Sequence, residues 1–387
     1  MDIAVIGAGN RARKYLSCLP GGVSVSCLVE PDPLRLSLAA EKYNVPESGR
    51  YSSAEDFFAS AHEGLSAVIV ATPDGLHVPM ALQAVRRGWH ILVEKPVAGS
   101  YEDYTALLEA SASVHVGVCL EMRFHPYFMR IKELVSSGAI GSILEIDHTE
   151  HIGPDRMAHT FVRGLWSRVS DSGPIFLSKC CHDADFLLWL TGGAVESVSS
   201  LGCIAKFRAA CAPDGARCRC LGCLVSDCPY SAVSLYKERS EWVSGFDVPS
   251  GQVLDDVIDA ELVSGRYGRC VYHCDNDVFD TQDVEALLSS GIRLHMHLEG
   301  TSEKEGRTTV IRGTEGVLYA DGGKITVLSD GVVVLEEDFS HLAGMPLHAG
   351  ADRALVEDFF DSIRSGRSPR ATLSSALEGH KLCYLAG

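Results

Sequence analysis

The chain has 387 residues, 46% of them hydrophobic and 22% charged, the proportions of a globular chain with a large core, so global disorder is excluded and two domains are expected. Its formal net charge of −17, from 34 Lys and Arg against 51 Asp and Glu, would repel nucleic acid and anionic membranes, so neither is expected as a partner. No apolar run near the start approaches the roughly 20 residues of a membrane span and no basic leader precedes it, which points to a cytoplasmic protein whose 14 cysteines are thiols or metal ligands rather than disulfides.

Residues 3–6 form a short apolar run that ends in Gly7-Ala8-Gly9-Asn10-Arg11-Ala12, after which the pattern turns helical. Further β-rich runs follow at 23–29, 67–71 and 90–93. They close on Glu30-Pro31-Asp32, Thr72-Pro73-Asp74 and Glu94-Lys95-Pro96, with helical stretches such as 54–61 and 78–87 between them. Strands separated by helical crossovers predict a doubly wound parallel sheet over residues 1–120, with ligands beyond the carboxyl ends of the strands. The region 121–387 reads differently. Residues 143–149, 194–201, 271–278, 292–298, 308–311, 317–320, 324–328 and 332–336 are strand-like and mostly follow one another through Gly-containing turns, which predicts a large, mainly antiparallel sheet. Helical periodicity returns over 352–384. The fold class is α/β.

In the glycine turn, Gly7 would make the tight turn and Gly9 would let the backbone approach a pyrophosphate. Ala12 stands where a small residue permits close helix packing, and Asn10 and Arg11 complete the cofactor cradle. Glu30, 23 positions on, ends the second strand, where a carboxylate accepts hydrogen bonds from a ribose 2′-hydroxyl. It would repel a 2′-phosphate, so NAD is favoured over NADP, although Arg11 and Arg13 pull the other way.

Lys95 follows a buried strand, where desolvation suits a lysine to acid–base work. With Gly7-Ala8-Gly9-Asn10, Ala71-Thr72-Pro73-Asp74-Gly75-Leu76-His77, Glu94-Lys95-Pro96-Val97-Ala98, Arg123-Phe124-His125-Pro126 and Cys181-His182-Asp183-Ala184-Asp185, the chain resembles the Gfo/Idh/MocA family of nicotinamide-dependent oxidoreductases over nearly its whole length. The resemblance implies an N-terminal Rossmann domain, a C-terminal α/β domain, and homo-oligomers, dimers or tetramers, packed through the second sheet. It also implies that Lys95 and His182 flank the reacting carbinol, and that Thr72, Pro73, His77 and Glu94 line the cofactor. One place departs from the family: the aspartate expected four residues before His182 is Ser178, followed by Lys179. The run around it resembles one subgroup, in which Lys179 enters the site.

Removing a hydride from a C–H bond requires the hydroxyl proton to leave toward a base within hydrogen-bond reach. Lys95 and His182 are the candidates. Arg123, His159, Arg163 and Trp166 suit a sugar, which offers hydroxyls to polar donors and a C–H face to an aromatic ring. A carbohydrate or polyol oxidoreductase is therefore the first reading. A redox glycosidase is the second: it oxidises at carbon 3, eliminates the aglycone, adds water and re-reduces, and it needs an extra base for which Lys179, Asp183 and His159 are at hand. A non-catalytic NAD-binding regulator is the third, opposed by the intact Lys95 and His182.

Cys211, Cys218, Cys220, Cys223 and Cys228 crowd a Gly/Pro-punctuated loop within about 203–230. Cys218, Cys220, Cys223 and Cys228 suit a structural tetrahedral zinc. Free thiols and disulfides remain alternatives, and an iron–sulfur cluster fits the spacing less well.

Overall fold

The computed structural model describes residues 1–243, 246–249 and 251–387. The chain divides into two compact units, each assembled from separate stretches: 1–137, 181–192 and 339–384 in the first, 138–180, 193–338 and 385–387 in the second.

In the first unit the strands are β1 (Asp2–Ile6), β2 (Ser24–Val29), β3 (Arg50–Tyr51), β4 (Leu65–Val70), β5 (His90–Val93) and β6 (Val116–Val118). They form one parallel sheet in the order β3-β2-β1-β4-β5-β6. Near-continuous Val, Ile and Leu in β1, β4 and β5 are what a strand covered on both faces requires, and Ile3, Val5, Ile69 and Val93 are fully buried. Chain order reverses about β1 and β4, so their carboxyl ends open a crevice at the switch point. Gly7, Glu30, Thr72 and Lys95 all lie just beyond such ends.

The far end of the chain completes this unit. Helix Ala351–Ser365 buries Leu355, Val356, Phe359 and Phe360. A Cβ on Gly117 of β6 would lie 2.9 Å from the Phe359 ring, so the small residue is what lets that ring settle on the strand. The Val118 N–H donates to Ala371 O at 2.9 Å, and Tyr104 Oη donates to Leu373 O at 2.7 Å.

The second unit holds β7 (Ile143–His151), β8 (Val195–Cys203), β9 (Thr281–Leu288), β10 (Arg293–Glu299), β11 (Gly306–Gly313), β12 (Val317–Asp321), β13 (Lys324–Ser329) and β14 (Val332–Asp338). Their order is β14-β13-β12-β11-β7-β10-β9-β8, antiparallel throughout except for the β7/β10 pair. Buried and exposed residues alternate strictly along β9, as in a sheet with one covered face. On the other face charges pair across strands, Arg312 with Asp147 and Arg293 with Glu145.

One expectation needs correction. Residues 271–278 form a turn-rich loop, not a strand: Asp275-Asn276-Asp277 interrupt the apolar residues, and the strand at that level is β9, ten positions later. The compact first unit takes in residues up to Ser137 together with Cys181–Gly192 and Phe339–Tyr384, so most of the C-terminal helical region packs with the parallel sheet. Among the described residues, no helix is long and apolar enough to cross a membrane.

Truncating a fully buried phenylalanine removes its transfer energy and leaves a cavity. Phe359→Ala should therefore destabilise the first unit by about 3–5 kcal/mol in urea denaturation.

Candidate active site in the first unit

Gly7 adopts φ +91°, and a Cβ there would lie 2.4 Å from Ala71 O, so only glycine can turn the chain at the end of β1. At Gly9 a Cβ would meet nothing within 4 Å, which leaves the backbone open to close approach. Glu30 is buried at the end of β2 and takes the N–H groups of Ala8 (2.9 Å) and Asp32 (3.0 Å), so the glycine turn itself aims the carboxylate. Thr72 Oγ1 is buried beside this turn with no hydrogen-bond partner among the described residues. An open glycine turn, a positioned carboxylate and an orphaned hydroxyl fit a dinucleotide.

Arg11, expected to touch the cofactor, is committed elsewhere. Its Nε donates to Glu94 Oε1 at 2.7 Å, and its Nη2 serves Glu121, Asp352 Oδ1 (2.9 Å) and Tyr15 Oη. Glu94 also accepts from Tyr15 Oη and from the Lys95 N–H at 2.9 Å. Burial alone would push the Glu94 carboxyl up, but the charges of Arg11 and Lys95 with these hydrogen bonds hold it below its ordinary value. Glu94 thus anchors the turn that carries Lys95. His77 does similar work, its ring nitrogens meeting Pro96 O (2.7 Å) and Thr72 O (2.9 Å). Both residues hold the crevice loops, while Pro73 and Asn10 are exposed at its rim.

His182 lies on helix Ile175–Thr191, and its Nε2 sits 3.3 Å from Glu121 Oε2. Glu121, just beyond β6, was missed in the sequence. It supplies the carboxylate that the Ser178 departure had removed. Lys95 lies close enough to Cys181, the neighbour of His182, for its charge to oppose the burial that pushes that thiol up to about 12. The first unit therefore brings Lys95 and His182 into one electrostatic neighbourhood.

Several expected substrate contacts are internal instead. Arg123 is 2% exposed. Its Nε and Nη2 grip Asp185 at 2.8 and 2.7 Å, and its Nη1 donates to Ser375 Oγ and Arg370 O, so no nitrogen is left for a sugar. Asp183 is fully buried. In the second unit His159 stacks on Tyr267 with its Nδ1 2.9 Å from Tyr236 Oη, and burial, with the Arg163 and Arg156 charges, lowers its pKa to about 4. It is a neutral ring of a small aromatic core, not a base. Arg163 is fully buried against Arg269 O, Tyr230 O and Cys220 Sγ. Trp166 is half-buried, and Lys179 pairs with buried Glu150, which Arg307 also meets at 3.0 Å.

The cysteine loop differs from expectation in membership. Cys220, Cys223 and Cys228 line a cavity of about 240 Å³ together with Cys270, whereas Cys218 is exposed and outside it.

Two models of one family match the chain: the oxidoreductase family with NAD-binding Rossmann fold over residues 1–121, and the GFO/IDH/MocA C-terminal domain over residues 128–210. The chain belongs to the GFO/IDH/MocA family. It is similar to inositol 2-dehydrogenase of Corynebacterium glutamicum, 28% identical over 204 residues, which span 51% of this chain and 56% of that protein's length. It is also similar to 2,7-anhydro-N-acetylneuraminate hydratase of Mediterraneibacter gnavus, 24% identical over 324 residues, 82% of this chain and 78% of the relative. An oxidoreductase from Agrobacterium radiobacter, solved with NAD+, L-tartaric acid and magnesium, shares the fold of this chain at TM-score 0.70 and 16% identity, covering 100% of this chain and 95% of that one.

His380 supports the Lys95 turn from below. Its Nε2 accepts the Val97 N–H at 3.2 Å, so Nδ1 donates to Ala376 O at 3.0 Å. Burial, reinforced by the Arg123 and Lys95 charges, lowers its pKa to about 4 against the pull of Ala376 O. The unfolded chain, with histidine near 6.5, binds more protons between these values, so stability is full above pH ~6.5 and falls as pH drops toward 4. Between pH 7.5 and 5 this histidine should cost about 2 kcal/mol in urea unfolding, and His380→Gln should flatten that part of the profile, His159 contributing the same sign elsewhere.

Proposed function

We propose that this protein is an NAD-dependent oxidoreductase acting on a carbohydrate or polyol hydroxyl, with Lys95 and His182 handling the hydroxyl proton. The observation that carries the reading is the Glu121–His182 pair, held in the same unit as Lys95 by carboxylates anchored on Arg11. NAD, when bound, supplies the hydride acceptor. Glu30 reads its ribose and the Gly7–Gly9 turn receives its phosphates. Glu121 faces Nε2 of His182 and orients its ring for proton transfer, and Lys95 takes or returns a proton at the reacting oxygen. Inositol 2-dehydrogenase among the relatives supports a polyol. Self-association through the outer face of the eight-stranded sheet, where Leu287 and Tyr319 are exposed, and a cytoplasmic location complete the reading.

A second reading is favoured by the hydratase relative, whose match spans 82% of the chain. Oxidation at carbon 3 acidifies the neighbouring C–H, elimination expels the leaving group, water adds and the ketone is reduced again, with no net redox change.

Lys95→Ala should lower turnover by about 10²–10⁴-fold with NAD affinity nearly unchanged, measured by steady-state kinetics and calorimetric titration. NADH appearing in step with ketone supports the dehydrogenase, and free sugar without net NADH supports the second reading. Full activity in Lys95→Ala overturns both. Glu30→Ala should weaken NAD binding by about 1–3 kcal/mol and narrow its preference over NADP. Tighter binding of NADP than of NAD by the wild type would remove Glu30 from the ribose.

A further inference from the structure

The carboxylates around Arg11 meet a second histidine besides His182. Arg11 uses one oxygen of each of two of them, its Nη2 meeting Glu121 Oε1 and Asp352 Oδ1. The other oxygens are left to histidines: Glu121 Oε2 lies 3.3 Å from His182 Nε2, and Asp352 Oδ2 lies 2.9 Å from His348 Nδ1. One ligand atom each from Glu121, His348 and Asp352 lie within 4.8 Å of one another. Among the described residues, no other group of three His, Cys, Asp or Glu side chains is gathered so closely.

Asp352 supplies an independent observation. It is fully buried, and its Oδ2 makes no hydrogen bond although His348 Nδ1 is 2.9 Å away. A buried carboxylate oxygen without a hydrogen bond is costly unless something else satisfies it. A nitrogen and an oxygen this close without a hydrogen bond are arranged as two ligands of one ion are: bonds of about 2.1 Å at right angles put their outer atoms about 3.0 Å apart. Ligands on opposite sides of such an ion are about 4.2 Å apart, so a set already within 4.8 Å closes on it with a small movement of the side chains.

An unusual turn brings His348 to this place. Leu347, His348 and Ala349 have φ of +55°, +48° and +54°, the left-handed region that residues other than glycine rarely adopt. Three such residues in succession persist only where their surroundings fix them. The His348 side chain is 51% exposed, whereas Glu121 and Asp352 are buried. The group therefore has an anionic floor inside the first unit and one side open to solvent, where an ion can enter and water can complete its coordination. An imidazole with two carboxylates suits a divalent ion such as manganese or zinc better than magnesium or calcium, which take oxygen ligands.

We propose that Glu121, His348 and Asp352 bind one divalent transition-metal ion of this kind, the two carboxylates using the oxygens that Arg11 does not. Binding is ligand exchange: the ion gives up water to the three side chains, His348 Nδ1 binds it unprotonated, and no electron changes hands. The ion ties the turn at 347–349 to the segment after β6. Its binding is read without turnover and so does not depend on the hydride chemistry proposed above.

The full chain, stripped with a chelator, is titrated with Mn²⁺ alone, and the ion that stays free is measured by electron paramagnetic resonance. Thiolates are poor ligands for manganese, so the cysteine loop does not compete. One site per chain is expected, with the melting temperature rising as it fills. His348→Gly removes the imidazole and leaves a residue at ease in the left-handed turn, so the variant should fold and bind Mn²⁺ more weakly by at least about tenfold. Asp352→Asn should weaken binding as well. His297→Asn, beside Asp283 on the sheet of the second unit, should bind as the wild type does. A wild-type chain that takes up no Mn²⁺ overturns the site. So does equal affinity in the wild type and His348→Gly, or loss of binding in His297→Asn.

Discussion

One guanidinium organises the first unit. Arg11, on the first turn of the helix after the glycine turn, gathers Glu94, Glu121 and Asp352, which come from the end of β5, the segment after β6 and a helix near the end of the chain. Three buried carboxylates converge on this one cation, with Lys95 beside Glu94, His182 against Glu121 and His348 against Asp352 at 2.9 Å. The groups proposed to move protons thus lie against the same carboxylates that Arg11 gathers. Breaking such a buried set by removing its cation typically costs about 3–5 kcal/mol, because the carboxylates remain where they are. The arrangement makes the acid–base pair inseparable from the integrity of the crevice. It also explains why an arginine placed within a phosphate-binding motif faces inward.

How much of this was legible in the sequence depends on what kind of fact each residue carries. Gly7 could be read because a positive φ against Ala71 O admits no other residue, and Glu30 because a carboxylate at the end of a second strand has few reasons to be there. Glu121 could not. Its role comes from a pairing with a helix some sixty residues later, and no local spacing encodes that distance. Arg123 was legible as a member of a motif but not as an internal strut, since residue type does not distinguish a donor held for a ligand from one spent on Asp185.

The second unit shows the same division. Strand β9 was missed because Gln282, Asp283 and Glu285 dilute its apolar residues, although their strict alternation is the half-covered pattern. Gln282 itself is buried and spends its amide on Ser200 Oγ and Ala386 O. The apolar residues around 271–278 mimic a strand, and Val271, Tyr272 and Val278 are buried within a turn-rich segment. The loop was recognisable as a thiol cluster from spacing alone. Which four thiols line one cavity was not, because Cys270 is brought to the loop by the bridge between Arg219 and Arg269.

The way the chain returns to its first unit has a consequence for biogenesis. The parallel sheet is made early, but its last strand receives Phe359 and the Ala371 carbonyl, and the Lys95 turn receives His380, only after the whole second unit has been synthesised. At roughly 5–20 residues per second, the interval between Ser137 and Tyr384 is on the order of tens of seconds, during which the apolar flank of β6 has no cover. Pairings this distant in sequence are also slow to form once the chain is free. The nascent N-terminal sheet therefore keeps that flank open until the C-terminal helices emerge, and its dinucleotide crevice matures last although its motifs are translated first.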